Sequence, residues 1–172
     1  MEIVVIEDTP KKAKPLVKNK KGVNKKKRSE GEERVANLLL ELNILAKEEE
    51  WWPQCKDKGV LRFDFFVVVK GGRAGVIEVD GRQHFELVPD LGVDEIELQH
   101  IRRRDIIKNK FAKERGLSML RIAYVDHSKL GVWVSDYLRD METATQAIYR
   151  FSSPLLYVHP FGEEDGGGCV IS

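Results

Sequence analysis

The sequence predicts an α/β domain with a mixed central sheet flanked by helices. Three observations predict it. Val35, Leu38, Leu39 and Leu42 recur at the i, i+3, i+4, i+7 spacing of an amphipathic helix. Two Val-, Ile- and Phe-rich runs, 60–69 and 74–80, flank Gly71-Gly72 and read as a hairpin. A basic helical stretch, 101–115, closes at Gly116 and leads into the apolar run 118–124. A strand reached through such a crossover can lie parallel to its neighbour.

Taken in order, residues 1–28 read as a basic arm, with residues 2–7 either a short strand or a loose extension. The domain spans 29–161. It opens with a helix over 30–43, for which Ser29 is the N-cap and Glu32 stands at the capping-box position. A strand near 49–55 is weakened by Pro53. The hairpin 60–69 and 74–80 follows, then a loop with a short helix over 86–100. The basic helix 101–115, the buried strand 118–124 and a last helix over 131–149 complete the domain. Residues 162–172 read as a flexible acidic, Gly-rich tail. No internal repeat is present.

A length of 172 residues, 42% hydrophobic and 33% charged, suits one soluble domain with tails. No apolar run reaches bilayer length and the N-terminus lacks a signal-peptide pattern. Cys55 and Cys169 have neither metal spacing nor a disulfide framework, so a reduced intracellular compartment, cytoplasm or nucleus, is expected. The net charge of +1 conceals an asymmetry: residues 11–28 hold ten Lys or Arg and no acid, while the rest carries 19 basic and 28 acidic residues. Lys25, Lys26, Lys27 and Arg28 are therefore candidates for phosphate contact or a nuclear address, against the alternative of a solubilising tail.

The chemistry sits on the hairpin. Asp64, Glu78 and Asp80 interrupt strongly apolar strands, and carboxylates in or beside a core cost several kcal/mol unless compensated. A divalent cation is one natural compensator, since hard cations take oxygen ligands. Pairing with Arg62, Arg73, Arg82 or Arg121 is the other. Register decides whether the acids share a face. A two-residue Gly71-Gly72 turn sets Asp64 opposite Val79, whereas a three-residue loop sets it opposite Glu78 or Asp80. A metal site formed by Asp64, Glu78 and Asp80 thus requires the longer loop or a bulge.

Further candidates surround it. Glu32 borders the apolar stripe of the first helix and serves either the site or only its capping box. Gln83 and His84 follow the Gly81 turn, where His84 can act as base, acid or water-positioner. Asp105 and Lys108 are either an intrahelical ion pair or place Lys108 on a phosphate. Arg102, Arg103, Arg104, Lys108, Lys110 and Lys113 make that helix a second phosphate-facing surface or a solvated basic face. Trp51 and Trp52 can stack on bases, but packing is the favoured reading.

In the order Ser29-Glu-Gly-Glu32, Arg62-Phe-Asp64-Phe, Ile77-Glu78-Val-Asp80-Gly-Arg-Gln83-His84-Phe85, Arg104-Asp105-Ile-Ile-Lys108 and Leu120-Arg121-Ile122, the chain resembles PD-(D/E)XK nucleases over residues 29–125. It looks most like the very-short-patch-repair-like and homing-endonuclease-like branch. The resemblance implies a restriction-endonuclease-like αβββαβ core and Mg²⁺-dependent hydrolysis of DNA phosphodiesters, with Mn²⁺ able to substitute. It carries Asp64 over as central metal ligand, Glu78 as its partner, Glu32 as the first-helix acid, Gln83 and His84 as the polar residues after the acidic strand, and Asp105 with Lys108 as the helix pair. One departure is Asp80, which stands where the superfamily usually has lysine. The branch shares this departure, and Lys108, His84 or a second metal can fill the lysine's role.

The expected catalytic set is therefore Glu32, Asp64, Glu78, Asp80, Gln83, His84 and Lys108, with Lys25, Lys26, Lys27, Arg28, Arg103, Arg104, Lys108 and Lys110 on nucleic acid. The alternative is a nuclease-fold protein that binds DNA without cutting it. No separate recognition domain fits, so specificity falls to a homodimer or partner, to DNA shape, or to residues 86–100 and 131–161. Two cysteines cannot supply a zinc site like that of the mismatch-nicking relatives without added His ligands. The last four residues, Cys169-Val-Ile-Ser172, fit a prenylation pattern, but four residues are a weak match and a membrane is not the expected partner.

Overall fold

The structure, a computed structural model, describes residues 27–162. The arm up to residue 26, including Lys25 and Lys26, and the tail from residue 163, including Cys169, lie outside the described residues.

The chain runs α1 (Glu30–Glu41), β1 (Leu45–Lys56), β2 (Val60–Val68), β3 (Ala74–Asp80), α2 (Glu95–Glu114), β4 (Ser118–Ala123), α3 (Leu130–Thr143) and β5 (Tyr149–Phe151), with short 3₁₀ turns at Arg82–His84, Pro89–Leu91 and Tyr124–Lys129. The five strands lie in sequence order. β1–β2 and β2–β3 pair antiparallel, whereas β3–β4 and β4–β5 pair parallel. The molecule is thus an α/β fold with a mixed sheet, as the residue pattern predicts.

Two cores cover the two faces of the sheet. Val35 and Leu39 of α1 and Leu130, Val134, Tyr137, Leu138 and Met141 around α3 pack on Phe65, Val67, Ile77, Val79, Leu120 and Ile122. On the other face Phe111 and Ala112 of α2 pack on Cys55, Phe63, Val76 and Met119. Trp52 joins this second core, its ring 5.6 Å from Phe63 and 5.5 Å from Phe111. This is the packing role expected of it, while Trp51 stays 46% exposed.

Three boundaries differ from expectation. β1 is longer than 49–55, and Pro53 is tolerated because β1 is an edge strand, where a missing N–H can face away from the sheet. α2 starts six residues earlier than 101, because Asp94 caps it by accepting the Glu97 N–H (2.9 Å) and Leu98 and Ile101 pack on Val88 and Val93. The last helix stops at Thr143, and Tyr149–Phe151 form the parallel strand β5 rather than continuing it. No helix among the described residues is long and apolar enough to cross a membrane.

Candidate active site

Hairpin register comes first. Val69 and Arg73 close the β2–β3 turn (3.0 Å), leaving the three-residue loop Lys70, Gly71, Gly72, in which both glycines take positive φ (86° and 80°) that side chains resist. The ladder then pairs Val68 with Ala74 through Phe65 with Ile77, so the next residues in register are Asp64 and Glu78. The acids face one another, the arrangement that the longer loop permits.

The backbone ladder ends there. The Val79 N–H donates to Asp64 Oδ2 (2.8 Å), and the Asp64 N–H donates to Glu78 Oε1 (3.2 Å). β1 deviates at the same level: Glu49, in register with Asp64, has φ 52°. Phe63 and Phe65 are both fully buried but in opposite cores, so the strand's alternation also breaks at Asp64. A regular strand would spend the Asp64 N–H within the sheet; here it steadies a carboxylate.

Lys108 of α2 enters from the opposite side and pairs with Glu78 Oε2, with its ammonium 5.1 Å from the Phe63 ring centroid. Burial pushes Glu78 up to about 8, against the pull of the Lys108 charge. Burial likewise raises Asp64 above the usual carboxylate range, with Lys108 and the Val79 hydrogen bond opposing and Glu32 adding repulsion. Lys108 is held protonated: burial alone would lower its pKa, but Glu78 and Asp64 raise it.

Glu32 arrives with α1. Its carboxylate accepts the Ser29 N–H (2.8 Å) while Ser29 Oγ accepts the Glu32 N–H (3.2 Å), so the capping box forms. The same carboxylate lies near enough to Asp64 to raise its proton affinity, so the capping role does not remove it from the site. Close approach of α1 depends on Gly31, where a Cβ would stand 2.7 Å from Val79 Cγ1 and 3.2 Å from His127 Cε1.

Asp80 is engaged by a different set of partners from Asp64 and Glu78. It is 1% exposed, and its oxygens are taken by Arg121, from Nε (2.8 Å) and Nη2 (2.6 Å), and by the Tyr157 hydroxyl (2.8 Å). Arg121 also reaches Asp105 Oδ1 (2.8 Å) and Asn109 Oδ1 (3.0 Å). For this one acid the arginine alternative holds, because a planar guanidinium from the adjacent strand matches a carboxylate with two parallel bonds. Burial would raise the Asp80 and Asp105 pKa values, but Arg121 pulls both below the usual carboxylate range. Potential ligand atoms of Asp80, His84 and Asp105 do converge within 4.8 Å, yet Arg121 already bonds both carboxylates.

His84 Nδ1 pairs with Asp105 Oδ2 (2.7 Å) and lies 3.5 Å from Asp80 Oδ1, which directs Nε2 away from this network. Burial would lower its pKa, but the Asp105 hydrogen bond and the Asp80 charge raise it overall. Gln83 folds back over Gly81, its Oε1 2.3 Å from where a Cβ would sit.

Most of the basic residues have partners within the chain, several of them at the surface. Arg28 pairs with Glu33 (2.8 Å) and Glu48. Arg102 donates to the Phe85 carbonyl (2.8 Å), Arg103 Nε lies 3.5 Å from Asp57, and Arg104 bonds Glu97 and the His100 carbonyl. Lys110 is half-buried beside Gly162, and Lys27 is exposed. Arg121 was legible as a charge inside an apolar strand; Tyr157 and Asn109 carried no such signal. Searches of protein-family models, curated proteins and solved structures find no match to this chain.

Proposed function

We propose that this protein is a Mg²⁺-dependent endodeoxyribonuclease with a restriction-endonuclease-like αβββαβ core, of the PD-(D/E)XK kind, acting on intracellular DNA. The observed order α1-β1-β2-β3-α2-β4 supports that core. The observation that carries the reading is the facing pair Asp64 and Glu78, backed by one ammonium, at the level where the β2–β3 ladder ends.

A charge count tests the fit of a cation. Asp80 and Asp105 are both paired with Arg121, and His84 lies beside them. Lys108 pairs with Glu78, with Asp64 and Glu32 close by, and burial raises the proton affinity of Asp64 and Glu78, so a divalent cation would take the place of those protons on hard oxygen donors. Asp64 and Glu78 would hold the metal, with Glu32 beside them. A bound Mg²⁺ supplies Lewis acidity and an acidified water.

The chain's own residues supply the rest. Asp105 fixes His84 Nδ1, leaving Nε2 to orient a water or take its proton. Lys108 brings to Glu78, from α2, the positive charge that Asp80 cannot provide from the strand. Arg121 and Tyr157 hold Asp80 as a scaffold beneath both.

The test is relaxation of supercoiled plasmid with Mg²⁺ or Mn²⁺, with and without chelator. Metal-dependent cleavage by the wild type, lost in Asp64→Asn, is the expected result. DNA retention without cleavage under any metal would favour the non-cutting alternative, to which Asp80 in the lysine position lends its support.

A further inference from the structure

Two cations sit among the carboxylates on the α2 face of the sheet, and they are held in very different ways. Arg121 is fully buried and spends Nε, Nη1 and Nη2 on Asp80, Asp105 and Asn109. Asn109 is itself tied to the Pro160 carbonyl (2.6 Å), and the Tyr157 ring lies 5.8 Å from the guanidinium. Removing it would break several bonds at once. Lys108 is tied through one ion pair, to Glu78 Oε2, and leans on the face of Phe63. Its four-carbon stem is flexible, and its side chain keeps 11% of its exposure where Arg121 keeps none.

Both Glu78 oxygens are in use: Oε1 accepts the Asp64 N–H, and Oε2 accepts Lys108. Asp64 Oδ2 is likewise given to the Val79 N–H. A divalent cation that takes Glu78 through Oε2 therefore competes with the ammonium for that oxygen, because two positive charges on one oxygen repel each other at close range.

We propose that Lys108 is an exchangeable counter-ion: its ammonium holds the cation position at Glu78 in the metal-free protein, and an arriving divalent cation displaces it. The inference rests on the metal-dependent reading above and deepens it. The exchange leaves Glu78 with a cationic partner at every stage. It also frees the lysine for an incoming phosphate only after the metal has loaded, so metal binding and phosphate capture become ordered. Arg121 does not exchange, which leaves the Asp80, His84 and Asp105 cluster closed to metal.

Calorimetric titration of Ca²⁺ and Mg²⁺ into the full-length wild type and Lys108→Met tests this. The variant, freed of the competing charge, is expected to bind metal about tenfold more tightly, against slower plasmid cleavage. Equal or weaker binding by the folded variant overturns the exchange. If Lys108→Met does not fold, the wild type answers alone. Lysine acylation mapped by mass spectrometry should leave Lys108 protected without metal and label it once Ca²⁺ is added; labelling that Ca²⁺ does not change overturns the proposal. Wild-type protein that takes up no divalent ion at all would overturn the metal site itself, an outcome distinct from binding without exchange.

Discussion

Asp64 is tied to Glu78 across the hairpin: its N–H donates to the Glu78 carboxylate, while its own carboxylate accepts the N–H of Val79, the residue after Glu78. The two side chains take over where the sheet ladder stops. The acids are thereby held rigidly by backbone, which is what a metal site needs of its ligands.

Asp64→Asn keeps an oxygen for the Val79 N–H and removes a charge that burial disfavours. The variant should fold with unchanged or slightly raised thermal stability, bind DNA, and lose cleavage. Thermal melting, DNA retention and plasmid relaxation measure the three. Cleavage at the wild-type rate would end the ligand role.

Arg121→Met should be strongly destabilising, on the order of 3–5 kcal/mol, because it leaves Asp80 and Asp105 buried without their cation. Arg121→Lys should rescue only part of this loss, since an ammonium cannot make the paired contacts of the fork. Urea denaturation monitored by tryptophan fluorescence gives both values.

The acid limb of stability has a defined sign. Asp80 and Asp105 are held below the usual carboxylate range by Arg121. Their contribution is complete above the ordinary Asp pKa of about 3.9 and is lost as pH falls through the lower folded-state values. Replacing Asp105 with Asn should flatten the stability profile below about pH 4, as read from denaturation midpoints across pH.

His84 acts in the opposite direction. Its folded-state pKa is raised, so its stabilising contribution is full below the ordinary His value of about 6.5 and fades as pH rises through the folded value. A base must be neutral, so the cleavage rate at saturating metal should rise with pH, with a midpoint above about 6.5. Asp105→Asn removes the main stabilising partner of the charged ring and should shift that midpoint downwards. A midpoint that does not move would separate His84 from the rate.

Gly31→Ala tests the seat of α1. The new methyl would meet Val79 Cγ1 at 2.7 Å and lever the helix away from β3, at a cost of roughly 1–3 kcal/mol. Metal affinity should weaken with it, because Glu32 moves with the helix. Glu32→Gln keeps a side-chain oxygen for the Ser29 N–H, so it should spare stability and weaken metal binding, which calorimetry distinguishes from a capping role alone.

Features set by neighbours in the chain were legible beforehand. The α1 cap needs only Ser29 and Glu32, three residues apart. The two best strands and the Gly116 helix stop are written in period and composition. The short strand Tyr149–Phe151 was not, because three residues carry no period and its pairing comes from β4 rather than from local preference. The early start of α2 was missed because its cap, Asp94, lies in a stretch that reads as loop, and the contacts that secure it come from Val88 and Val93.

The sequence by itself determined that three acids would sit on one hairpin, and that only a three-residue loop or a bulge would set Asp64 opposite Glu78 or Asp80; the observed register chose Glu78. Only the tertiary structure decided the partner of each acid. Asp80 and Arg121 are 41 positions apart in the chain, and Glu78 and Lys108 are 30 apart. Strand alternation places Glu78 and Asp80 alike, but the cations that reach them come from α2 and β4, whose positions follow from how both layers pack on the sheet. Local spacing sets which face a carboxylate occupies; burial against distant elements sets whether it is neutralised or left to bind.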